Sequence, residues 1–127
     1  MSNLSEQIEH HLEFLGYASE STMDDDGTED FTLYATHPEN WNITVRNFGT
    51  TIVLSSGVAL DPKCHDYQKA NIANRDIPWL KTTLDDDGDA WFYSYMTADY
   101  DRQQFGESIS RFLRQIDQAM GLLKAAE

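Results

Sequence analysis

The run Asp-Asp-Asp-Gly occurs twice, at 24–27 and 85–88, each time between stretches in which apolar and polar residues alternate. Glycine supplies the positive φ of a tight turn and aspartate tolerates the neighbouring positions, so each run reads as the tip of a β-hairpin. The first hairpin is expected to join Tyr17–Met23 to Phe31–His37, with Phe31, Leu33 and Ala35 on one face and Thr32, Tyr34 and Thr36 on the other. The second joins Trp79–Leu84 to Ala90–Met96. Between them Trp41, Ile43 and Val45 alternate, Asn47-Phe48-Gly49 turns the chain, and Thr51–Ser56 follows. Thr51-Ile52-Val53-Leu54 is apolar on both sides, which predicts a strand in the middle of the sheet.

Helical periodicity frames these strands. Leu4, Ile8, Leu12 and Leu15 recur at three- and four-residue steps, with Asn3 and Glu6 placed as a capping box and Gly16 as the stop. Asp61-Pro62 reads as a helix start, and that helix runs through Tyr67 and Ile72 to end near Asn74-Arg75, since Pro78 follows. Asp101 and Gln104 open the last helix, whose broad apolar face is Phe105, Ile109, Phe112, Leu113, Ile116, Met120 and Leu123. The order predicts an α+β fold, one antiparallel sheet with the N- and C-terminal helices packed on a face, α-β-β-β-(β)-α-β-β-α.

At 127 residues the chain suits a single domain over 1–127, with no internal repeat or linker. Its 22 acids against nine bases leave a net charge of -13, and no Lys or Arg occurs between Met1 and Val45. Such a surface repels phosphate backbones and anionic lipid heads, so neither nucleic acid nor membrane is an expected partner. A cationic or amphipathic protein suits it better. No apolar run has the length of a signal peptide or a membrane span. One cysteine, Cys64, forms no internal disulfide, which fits a cytoplasmic protein.

The acidic turns are the tempting candidates for chemistry. An EF-hand loop needs an acid first, glycine sixth and glutamate twelfth. Counting from Gly27 puts Thr22 first and Leu33 twelfth; counting from Gly88 puts Thr83 first and Ser94 twelfth. Both fail at the ends, and turn formation explains the runs. His10 and His11 point about 100° apart on a helix, and His37, Cys64 and His65 lack ligand spacing. No nucleophile motif, phosphate loop or zinc-binding pair is present. No catalytic residue, cofactor or metal ligand is therefore assigned, and no enzyme is expected. A small-ligand or cation-sensing domain built on the acidic loops stands as the alternative to a binding module.

Aromatic residues carry more. Trp91, Tyr93 and Tyr95 project from one face of their strand, while Phe92, Ser94 and Met96 project from the other. One face is expected under the terminal helices. The other is to be covered by the middle helix, a second copy of the chain or a partner. Trp79, Trp91, Tyr93 and Tyr95 are the candidate partner-binding residues, because Tyr and Trp are enriched at interfaces.

The stretch Ala70-Asn71-Ile72-Ala73-Asn74-Arg75, followed by Trp79-Leu80-Lys81-Thr82-Thr83-Leu84-Asp85-Asp86-Asp87-Gly88-Asp89, resembles the YbjN-like family of bacterial sensory transduction regulators. Trp41–Val45 and Ser56–Leu60 are similar as well. That family in turn resembles the type III secretion chaperones, which are small, acidic and usually dimeric. The resemblance implies a chaperone-like or regulatory domain that holds a partner polypeptide, forms a homodimer and catalyses nothing. It brings no defined site residues. One departure is visible, since Asp76-Ile77-Pro78-Trp79 puts a proline where members have a basic or apolar strand entry.

Overall fold

Alternation within a strand assigns each residue to one side of a sheet, and here one side takes nearly all of the large aliphatic residues. In the structure, a computed structural model that describes residues 4–23 and 31–124, the elements are α1 (Leu4–Phe14), β1 (Ala18–Met23), β2 (Phe31–Thr36), β3 (Ile43–Asn47) and β4 (Thr51–Ala59). They are followed by α2 (Tyr67–Asp76), β5 (Lys81–Leu84), β6 (Asp89–Thr97) and α3 (Arg102–Lys124). The six strands form one antiparallel sheet in the order β1-β2-β3-β4-β6-β5. This is the α+β arrangement expected from the pattern, with β4 near the middle.

Leu33, Val45 and Leu54 stand opposite one another across β2, β3 and β4, all buried. Ile43, Ile52 and Phe92 extend that layer, and Phe105, Ile109, Phe112, Ile116 and Leu123 of α3 bury against it together with Ile8 and Leu12 of α1. Each of Phe92, Phe105 and Phe112 is almost wholly withdrawn from water, a gain of about 1.5–3 kcal/mol apiece. The stop at Gly16 is as expected: it adopts φ +95°, and the Tyr17 N–H folds back to the Leu12 carbonyl at 2.9 Å. Asp101 caps α3 by accepting from the Gln104 N–H at 2.9 Å. The Asn3 cap and the first Asp-Gly turn lie outside the described residues.

Four boundaries differ from expectation. Asp61-Pro62 opens only a 3-10 turn, Pro62–Cys64, because Asp66 caps α2 separately by accepting from the Gln68 and Lys69 N–H groups. Trp79 stands outside β5 in a turn with φ +70°, which no strand accommodates. β4 continues past Ser56 to Ala59, paired with β6 over its whole length. Trp41 precedes β3, fastened to α3 by its indole N–H donating to Asp117 Oδ1 at 2.9 Å. The middle helix also fails to cover the second face of the sheet. α2 packs against α3 and β5, on the side that α1 and α3 already occupy.

Asn74, near the end of α2, explains part of that placement. Its side-chain amide donates to the Thr82 carbonyl at 2.9 Å and accepts from the Thr82 N–H at 2.6 Å, as a neighbouring strand would. β5 is an edge strand, and this pairing satisfies its outward-facing backbone at a residue that is 2% exposed. No helix among the described residues is long and apolar enough to cross a membrane. Asn74→Ala leaves a buried N–H and C=O without partners, and urea unfolding is expected to show a loss of about 1–3 kcal/mol. An unchanged unfolding midpoint would mean that water replaces the amide at no cost.

Candidate functional site

With all three helices on one side, the opposite face of the sheet lies uncovered. The alternation that buries Leu33, Val45 and Leu54 turns their neighbours outward. Tyr34, Thr44, Ser55 and Tyr93 form one row across β2, β3, β4 and β6, and Arg46, Val53 and Tyr95 form the next. These residues, with Phe48 and Trp91, line a shallow concavity of about 660 Å³. Tyr34, Phe48 and Tyr95 are each more than half exposed. No acidic residue among those described lines the concavity, while Glu20 and Lys81 stand at the two ends of the first row. The charge of the concavity is that of Arg46, whose guanidinium lies 4.9 Å from the centre of the Phe48 ring.

One member of the face is fixed tightly. A Cβ built on Gly57 would come within 2.7 Å of the Trp91 ring, so the glycine gives the indole its bed on the facing strand. The indole N–H then donates to Asp85 Oδ2 at 2.9 Å. Asp85 Oδ1 accepts from the N–H groups of Asp89 at 2.8 Å and Asp87 at 3.1 Å. These bonds, the one from Asp89 foremost and that from Trp91 next, hold the Asp85 carboxyl below the usual carboxylate range. The 85–88 run is thus a turn, with φ +89° at Gly88, and its first carboxylate serves the hairpin and the indole.

The face brings together three of the four residues singled out in the sequence, Trp91, Tyr93 and Tyr95. Trp79 is elsewhere, 69% exposed, with its ring 5.3 Å from the Arg111 guanidinium of α3. Tyr34, Arg46 and Phe48 were not anticipated. The period-two pattern of β2 already put Tyr34 opposite the core side, but its alignment with Tyr93 depends on strands far apart in sequence.

The titratable side chains considered as ligands are dispersed. His11 is buried between α1 and α3, with Nδ1 2.8 Å from the Tyr100 hydroxyl. Burial, reinforced by Arg102, pulls its pKa below the ordinary histidine value. His37 Nδ1 accepts from the Glu39 N–H at 3.0 Å, and His65 Nε2 donates to the Asp85 carbonyl at 2.9 Å. No group of three or more His, Cys, Asp or Glu among the described residues is arranged to hold a metal ion.

The contact between Gly57 and Trp91 is open to a double-mutant cycle. Gly57→Ala is expected to destabilise the protein and shift its tryptophan fluorescence. In a Trp91→Leu background the same change becomes cheap, with a coupling of about 0.5–3 kcal/mol by urea unfolding. Additive costs would show that Gly57 does not serve the indole.

No protein-family model matches the chain, and no curated protein matches it. Its fold is nevertheless shared with solved structures. An uncharacterized protein from Methanothermobacter thermautotrophicus superposes with a TM-score of 0.67 at 13% identity, over 96% of this chain and 97% of that one. YbjN from E. coli superposes at 0.65 with 16% identity, over 95% and 90%. The Yersinia pestis type III secretion chaperone SycH, solved in complex with a stable fragment of YscM2, superposes at 0.62 with 16% identity, over 94% and 99%. The chain therefore has the fold of YbjN and of the type III secretion chaperones, as the resemblance at 70–89 implied.

Proposed function

We propose that this protein is a non-catalytic binding module that holds a partner polypeptide on the uncovered face of its sheet, in a chaperone-like or regulatory role. The observation that carries this reading is the group of rings Tyr34, Phe48, Tyr93 and Tyr95 at the centre of that face, in a concavity that no acid among the described residues lines. An aromatic surface offers buried area to a polypeptide, while the acids around it, Glu20 beside Tyr34 among them, steer a cationic partner and set the on-rate. Tyrosine suits the task, since it gives a large contact area at a low cost in side-chain entropy and keeps a hydroxyl for hydrogen bonding. A fold shared with a chaperone solved on its partner fragment supports the same reading.

The proposal includes a cytoplasmic location and a homodimer. A second copy is a suitable cover for this face, because two such faces bury their rings against each other. Light scattering coupled to size exclusion at physiological salt is expected to give twice the chain mass of 14.5 kDa. A mass of one chain across micromolar concentrations would remove the dimer. Low salt is unsuitable, since the screening length grows there and copies of charge -13 repel over a longer range.

The working surface has its own test. Tyr34→Ala, Phe48→Ala and Tyr95→Ala together remove rings that are already exposed, so the circular dichroism spectrum is expected to stay native. Capture of the polypeptide that co-purifies with the wild-type protein is expected to fall at least tenfold. Phe92→Ala, on the buried side, serves as the contrast and costs about 3–5 kcal/mol. A folded triple variant that still captures its partner at full strength would sink the assignment of this face.

A further inference from the structure

The outer side of α3, across the molecule from the uncovered face of the sheet, has the opposite electrostatic character to the rest of the protein. Arg102, Arg111 and Arg114, a third of the nine basic residues, line one open concavity of about 720 Å³ with Gly106, Ser110 and His11. None of the three arginines forms an ion pair among the described residues, in a chain with 22 acids. Glu107, the acid on this side of the helix, accepts from Gln103 Nε2 at 3.2 Å. The guanidinium Nε of Arg111 is buried without a hydrogen-bond partner. Such a donor ordinarily finds an acceptor, and one left unmet costs stability.

Two of these arginines are held in place by rings. Arg102 lies 5.5 Å from the centre of the Phe14 ring and Arg111 lies 5.3 Å from that of Trp79. A ring against the face of a guanidinium leaves its N–H edge available, and that edge matches a carboxylate in two-pronged fashion. Phe14 is 75% exposed and Trp79 69%, the most exposed large hydrophobic residues described. Trp79 also holds φ +70°, a conformation that is costly for a bulky side chain and tends to persist at functional places. Arg102 further opposes the helix dipole, as a cation in a first turn that contains no acid. Fold stability alone accounts for none of these choices.

We propose that this arginine-lined side of α3 is a second binding surface, which receives an acidic polypeptide segment. The Cα atoms of Arg102 and Arg111 are about 14 Å apart along the helix and those of Arg102 and Arg114 about 18 Å, at 1.5 Å per residue. An extended segment at about 3.3 Å per residue meets both ends with carboxylates four to six residues apart. Gly106 and Ser110 keep the ground between low. The surface is independent of the partner face of the sheet, so it stands or falls separately from the function proposed above.

Fluorescein-labelled deca-glutamate, titrated into the full chain at 150 mM salt and followed by anisotropy, tests this. Long-range repulsion from the remaining acids is screened there beyond about 8 Å, while contact pairs survive. Saturable binding is expected, with an uncharged Gly-Ser decapeptide showing none. Arg102→Gln with Arg114→Gln, both exposed, is expected to weaken binding at least tenfold with an unchanged circular dichroism spectrum. Arg111→Gln is expected to weaken it also, and the Tyr34, Phe48 and Tyr95 triple variant to leave it intact. Equal binding by the arginine variants, or none by the wild type, overturns the proposal. So does displacement of the peptide by a single-stranded DNA decamer at lower concentration than by unlabelled deca-glutamate, which would make the surface a phosphate site.

Discussion

Phe105, Ile109, Phe112 and Ile116 bury their side chains against Leu33, Leu54 and Phe92, and most other features of this protein follow from that contact. A sheet with one apolar face must be covered once, and a 23-residue helix with apolar residues at helical spacing is long enough to do most of it. α1 completes the cover with Ile8 and Leu12 at one end, and α2 completes it with Ala70 and Ala73 near the other. Small residues on α2 let it approach α3 and the β5 edge closely, so it joins the existing layer and does not form a second one.

The consequence is asymmetry. A two-layer fold leaves the far side of its sheet to water, and here that side bears rings at its centre, with Glu20 and Lys81 toward its edges. Trp91 shows that the arrangement is built. Gly57 gives up a side chain to seat the indole, and Asp85 commits one carboxylate oxygen to the indole N–H and the other to the hairpin turn. Its neighbours Tyr93 and Tyr95 then stand on a surface whose edge is held rigid. The β5 edge is closed in a related way by the Asn74 amide, which occupies backbone groups that another strand would use. Polar side chains thus define what the apolar core leaves open.

Charge is divided in the same manner. No Lys or Arg precedes Arg46 to offset the ten acids there, while α3 collects three arginines on its outer side. The two faces differ for that reason, one bearing aromatic area and the other guanidinium groups with no ion pair among the described residues. Within the helix layer His11 meets Tyr100, Phe105 and Arg102, a site that favours the neutral imidazole and fastens α1 to the start of α3.

Much of the fold was legible in the residues because it rests on local rules. The Asp-Gly run at 85–88, the alternation in β2, β3 and β6, the Gly16 stop and the Asp101 cap each depend on a few adjacent positions. The errors arose where two local signals competed, as at Asp61-Pro62, where Asp66 supplied a second cap, and at Trp79, where a strand-favouring residue sits in a left-handed turn. By itself the sequence determined the kinds of element, their order, the turns between them and the side of each strand that is apolar. Only the tertiary structure decided that α2 joins the layer of α1 and α3, that Tyr34 lines up with Tyr93, and that three arginines share one open surface with no ion-pair partner among the described residues. Those outcomes depend on pairings between segments far apart in the chain, such as β4 with β6, and periodicity along a single segment carries no information about its distant neighbours.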